Sequence, residues 1–184
     1  MFLARTGGAD DTRALAAAMA ELVRPGDLLL LVGGLGAGKT TFAQGFAARL
    51  GVQGPVTSPT FTLVRQYPCS LGQLLHADLY RLDRLAEVAD LALSELLESG
   101  VGAAGAEGAV ALVEWGDGGA AVLGPDALTV TLARPVDEGD EGDDARTVTV
   151  TGGGAAWVDR WASLAAALVP WARTAPRVPT DGAG

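Results

Sequence analysis

The chain has 184 residues, 49% hydrophobic and 19% charged, which suits a single domain with a real core and excludes wholesale disorder. A net charge of −9 argues against tight binding to nucleic acid through its phosphates, and serves solubility or attraction of a basic partner equally well. One cysteine, Cys69, excludes an internal disulfide or a cysteine-based metal cluster, and no apolar run approaches the ~18 residues that span a bilayer.

Met1–Gly8 has no apolar core of signal-peptide length, so a cytoplasmic protein without membrane association is expected. Asp10, Asp11 and Thr12 are N-cap candidates for a helix running from Arg13 to Val23. Pro25-Gly26-Asp27 turns the chain into an apolar strand, Leu28–Val32. Directly behind it, Gly33-Gly34-Leu35-Gly36-Ala37-Gly38-Lys39-Thr40 is a complete G-x-x-x-x-G-K-[ST] loop, and Thr41–Leu50 reads as the helix that follows. The glycines let successive N–H groups turn toward phosphate oxygens. Lys39 suits the β- and γ-phosphates, and the Thr40 hydroxyl suits Mg²⁺. Strand before and helix behind make this a nucleoside triphosphate site.

Further along, Phe61–Tyr67 and Leu74–Tyr80 alternate as strands, the second placing His76, Asp78 and Tyr80 on one face. Leu85–Leu97 carries a helical apolar stripe, 99–108 is a small-residue loop, and Val110–Val113 is a short buried strand. Two more strands, Ala127–Ala133 and Arg146–Thr151, flank an acidic stretch, 137–144. That stretch is a solvated hairpin loop or a functional acidic patch. Ala155–Val169 reads as one helix with Trp157, Trp161 and Leu164 spaced to pack inward, and a Pro/Gly-rich tail from Thr174 is expected to be disordered. The resulting division is a P-loop domain over 1–152, a packed helix over 153–173 and a tail over 174–184.

Triphosphate hydrolysis needs a carboxylate for Mg²⁺ and a group that places the attacking water. Glu114 closes the run Val110–Val113 as a Walker B carboxylate would, although aspartate is commoner there. Asp78 has apolar neighbours, and an isolated buried carboxylate needs a partner or a metal. A hydrogen bond to His76 or an ion pair with Arg81 would satisfy it structurally. For His76 a structural role is at least as strong a reading. Thr57-Ser58-Pro59-Thr60 is either a phosphate-sensing loop or a plain proline-stiffened turn.

In order and spacing, LVGGLGAGKTTFAQGFAARLG, VTSPTFTLVRQY, HADLYRL and LVEWGD resemble the TsaE (YjeE) family, over about residues 10 to 152. The resemblance implies an ATPase that uses ATP and Mg²⁺ and works with TsaD and TsaB to form threonylcarbamoyladenosine at position 37 of tRNA. Contact with tRNA would be indirect, through that complex. It implies that the loop residues Leu35, Gly36, Ala37, Gly38, Lys39, Thr40 and Thr41 bind the nucleotide, and that Thr40 and Glu114 ligate Mg²⁺. Lys39, Asp78 and Glu114 would be catalytic, Thr60 and Asp78 would belong to switch-like elements, and Trp115 and Arg146 would touch the nucleotide. The family usually has Asp where this chain has Gly34. The acidic stretch and the Trp-bearing C-terminal helix exceed its minimal form.

The expected architecture is therefore α/β, a P-loop NTPase-type three-layer fold with a mainly parallel central sheet and late antiparallel strands. Other uses of a P-loop fit less well. A small-molecule or nucleoside kinase needs an arginine-rich lid, and the 13 basic residues form no such cluster. A GTPase needs an Asn-Lys-x-Asp motif, which is absent. A non-catalytic nucleotide switch would keep ATP-dependent partner affinity after Glu114→Ala.

Overall fold

The computed structural model describes residues 1–59, 64–78, 108–115, 127–135 and 144–173, with the side chain of Trp115 outside the description. The expected helix over 85–97, the acidic stretch up to residue 143 and the tail from 174 lie outside the described residues. Strands β1 (Phe2–Thr6), β2 (Leu28–Val32), β3 (Val64–Cys69), β4 (Gly72–Asp78), β5 (Ala109–Trp115), β6 (Leu128–Ala133) and β7 (Arg146–Thr151) form one sheet in the order β1-β7-β6-β2-β5-β4-β3. The centre, β6-β2-β5-β4, is parallel. β7 and β1 extend one side antiparallel, and β3 extends the other. The late strands thus pair antiparallel with each other as expected, while β6 itself joins the parallel centre.

β2 is apolar at every position because both its faces are buried. Leu29 and Leu31 join the main core with α1 (Ala9–Ala20) and α2 (Lys39–Arg49), while Leu30 faces a smaller cluster with Leu75, Ala77, Ala111 and Val113. Phe42 and Phe46 are fully buried on α2, their ring centroids 6.2 Å apart. Each such burial contributes about 1.5–3 kcal/mol.

α1 begins earlier than the cap candidates implied. Gly8 occupies the N-cap, and Asp10 and Asp11 fall in the first turn, where their charge complements the helix dipole. Asp11 accepts the Gly7 N–H at 2.8 Å, and the helix ends at Ala20 rather than Val23. The strand expected over 61–67 is described from Val64 and runs on to Cys69; Pro68 is tolerated because β3 is a sheet edge among the described strands.

α1 and α2 pack so closely that a Cβ on Gly45 would fall on the Arg13 backbone, 2.7 Å from its carbonyl carbon. Gly45→Ala must push the two helices apart. It is expected to destabilise the fold by about 1–3 kcal/mol, read as a lower urea midpoint. An unchanged midpoint would refute the close approach.

The single helix expected over 155–169 is two short ones, α3 (Gly154–Val158) and α4 (Trp161–Leu168), followed by a 3₁₀ turn at Val169–Trp171. The break at Asp159–Arg160 turns the Arg160 guanidinium into the body, where it forms a bidentate pair with Asp27 at 2.6 and 2.7 Å. Arg160 also lies 3.9 Å above the centre of the buried Trp157 ring. Beyond α4, Ala172 bridges to Ala4 and the Arg173 N–H donates to the Leu3 carbonyl at 2.9 Å, covering part of the β1 edge.

Candidate nucleotide site

The parallel strands β2, β4 and β5 deliver their carboxyl ends to one place, where open α/β sheets hold ligands. β2 runs into the glycine loop. Gly38 is its last turn residue and the N-cap of α2, with φ 103°, a conformation that a side chain would strain. The loop therefore ends on the N-terminus of α2, where free N–H groups and the helix dipole favour an anion.

A cavity of about 530 Å³ opens over this point, lined by Leu35, Gly36, Ala37, Gly38, Lys39, Thr40 and Thr41, with Ser58, Asp78, Glu114 and Arg146. Lys39 Nζ donates to the Gly33 and Gly34 carbonyls at 2.6 and 3.1 Å, which holds the ammonium over the loop. From β7, Arg146 donates through Nε to the Ala37 carbonyl at 3.1 Å and through a terminal nitrogen to the Gly36 carbonyl at 3.3 Å. One wall is thus cationic and tied to the loop backbone.

The opposite wall is anionic. Asp78 and Glu114 are register partners on β4 and β5, both buried. Thr40 Oγ1 lies 3.4 Å from Glu114 Oε1, and the Ser58 hydroxyl donates to Asp78 Oδ2 at 3.1 Å. His76 Nε2 lies 2.9 Å from Glu114 Oε1. The histidine's partner is therefore the carboxylate on the next strand, not Asp78 two residues along its own.

Ten of the residues singled out in the sequence converge here: the seven from Leu35 to Thr41, with Asp78, Glu114 and Arg146. Thr60 lies outside the described residues, and Trp115 ends β5. Ser58 lines the cavity although no role was given to it individually; its place on the loop two residues before Thr60 was the available signal. Gly34 is exposed and nothing lies within 4 Å of where its Cβ would be, so backbone crowding does not demand glycine there.

The family profile described as threonylcarbamoyl adenosine biosynthesis protein TsaE matches residues 6–142. The chain belongs to the TsaE family. It is 45% identical to the tRNA threonylcarbamoyladenosine biosynthesis protein TsaE of Streptomyces coelicolor, over 79% of this chain and 93% of the relative. With the Bacillus subtilis protein of the same name it shares 40% identity over 80% and 83%. The crystal structure of Bacillus subtilis YdiB superposes with a TM-score of 0.60 at 31% identity, covering 91% of this chain and 93% of that one. The matched profile stops before β7, so Arg146 and the α3–α4 unit of this TsaE-family chain lie beyond it. Among the described residues no helix is long and apolar enough to cross a membrane.

Proposed function

We propose that this chain is a Mg²⁺-dependent ATPase that supports formation of threonylcarbamoyladenosine at position 37 of tRNA, acting in the cytoplasm with the TsaB–TsaD complex. The observation that carries the reading is the convergence of Lys39, Thr40, Asp78 and Glu114 on one cavity at the carboxyl ends of the parallel strands. The donor chemistry fits the ion. Thr40 and Glu114 supply hard oxygens, as suits an ion completed by phosphate and water. When bound, Mg²⁺ neutralises charge on the β- and γ-phosphates.

The chain's own residues do the rest. The loop N–H groups and Lys39 cradle the phosphates, and Arg146 holds the Gly36 and Ala37 carbonyls back from them. Asp78, fixed by Ser58, is the group that places the attacking water. Thr60 and Trp115 complete the nucleotide contacts by family resemblance. Direct contact with tRNA is disfavoured by the charge of −9.

The purified chain is expected to hydrolyse ATP slowly alone and faster once TsaB–TsaD is added, measured as phosphate release. Equal rates with and without the complex overturn the coupling.

A further inference from the structure

His76 lies on β4, paired on one side with Arg65 and on the other with Leu112, and has no solvent exposure. Its Nδ1 has no hydrogen-bond partner among the described residues, and its Nε2 meets Glu114 Oε1 at 2.9 Å. A buried polar nitrogen left unsatisfied is costly, so an imidazole kept only to fill space would be displaced readily by an apolar side chain. Among the described residues the ring gains one bond, to the carboxylate that Thr40 also faces. A carboxylate only accepts, so the Nε2–H is the donor.

We infer that His76 is a positioning residue: its Nε2–H holds the Glu114 carboxylate in the one orientation that presents it beside Thr40 to Mg²⁺. The inference rests on the ATP·Mg²⁺ reading above. Both residues lie on strands paired on each side, so the difference is in the side chains: Glu114 turns about three bonds, whereas the fully buried His76 ring turns about two. Donation from a rigid neighbour removes the rotamers that point Glu114 away from Thr40, as outer partners of metal ligands generally do.

The test compares ATP affinity by calorimetry in EDTA and in saturating Mg²⁺, for the full chain and for variants shown to be folded by circular dichroism. The ratio of the two dissociation constants reports metal coupling separately from nucleotide binding. His76→Leu should leave affinity in EDTA unchanged while cutting that ratio by about 10-fold or more. His76→Gln, whose amide reaches the position of Nε2, should restore most of it. A ratio in His76→Leu equal to that of the unmodified chain, or affinities weakened alike in both conditions, overturns the inference and leaves the ATPase reading standing. If His76→Leu does not fold, His76→Asn replaces it. Its shorter amide should lose the ratio that His76→Gln keeps, and equal, undiminished ratios in both overturn the inference. An unmodified chain that binds ATP equally with and without Mg²⁺ removes the metal site itself, and this inference with it.

Discussion

Lys39→Ala is expected to lower ATP hydrolysis on the order of 10²–10³-fold, the loss typical of deleting one preorganised donor to the charge of a transition state. The ammonium is already fixed over the loop by the Gly33 and Gly34 carbonyls, so it meets the phosphates without reorganising. Those two bonds are local to the loop and the side chain is only half-buried, so the thermal midpoint should move little. Lys39→Arg should not rescue. A planar guanidinium is wider than the point charge that two loop carbonyls hold from below. Phosphate release measured at saturating ATP, beside a melting curve, separates lost chemistry from lost folding. Turnover at the unmodified rate would refute the phosphate cradle.

Such a test could be framed from sequence because the strand–loop–helix unit around Lys39 is legible there, although the ends of α1 and β3 are not. β2 has the bounds its apolar run implied, and β7 has those of its alternating Val and Thr pattern. The glycine loop between a buried strand and a helix needed no structure to read. What escaped was non-local. β1 is five residues with only Ala4 and Thr6 fully buried, and its partner β7 lies at the far end of the chain. Nothing within a window around Phe2–Thr6 marks it as a strand. The parallel pairing of β6 with β2 is hidden for the same reason, since alternation gives a strand's faces but not its neighbour.

The site shows the same division. Strand period put His76 and Asp78 on one face of β4, and both do lie on the side of the sheet that carries α2. Period alone could not say that Glu114, one strand over, takes the His76 bond while Ser58 takes Asp78. That pairing depends on the β4–β5 register, which sets Asp78 beside Glu114. The helix break at Asp159–Arg160 is likewise a tertiary event. The stretch from Ala155 to Val169 has continuous helical spacing, and it is interrupted where Arg160 turns to Asp27, 133 residues earlier in the chain.

That pair makes the second large expectation one of stability. Arg160→Ala should destabilise the chain by about 3–5 kcal/mol, because it leaves the Asp27 carboxylate buried without its counter-charge. Both side chains are nearly buried, with exposures of 10% and 7%, so solvent does little to screen the loss. The hydrogen bond to Asp27 pushes the guanidinium still further above its ordinary range, so Arg160 stays charged. Arg160 also donates to the Leu22 and Ala156 carbonyls, and Asp27 accepts the Arg24 N–H, so the pair ties α3 to the turn that launches β2. A urea double-mutant cycle with Arg160→Met and Asp27→Asn isolates the pair from the stacking on Trp157. Each single change should cost most of the total, and the double change should cost clearly less than their sum. Additive losses would mean that the two side chains stabilise the fold independently, Arg160 through its carbonyl bonds and its stack on Trp157 rather than through the pair.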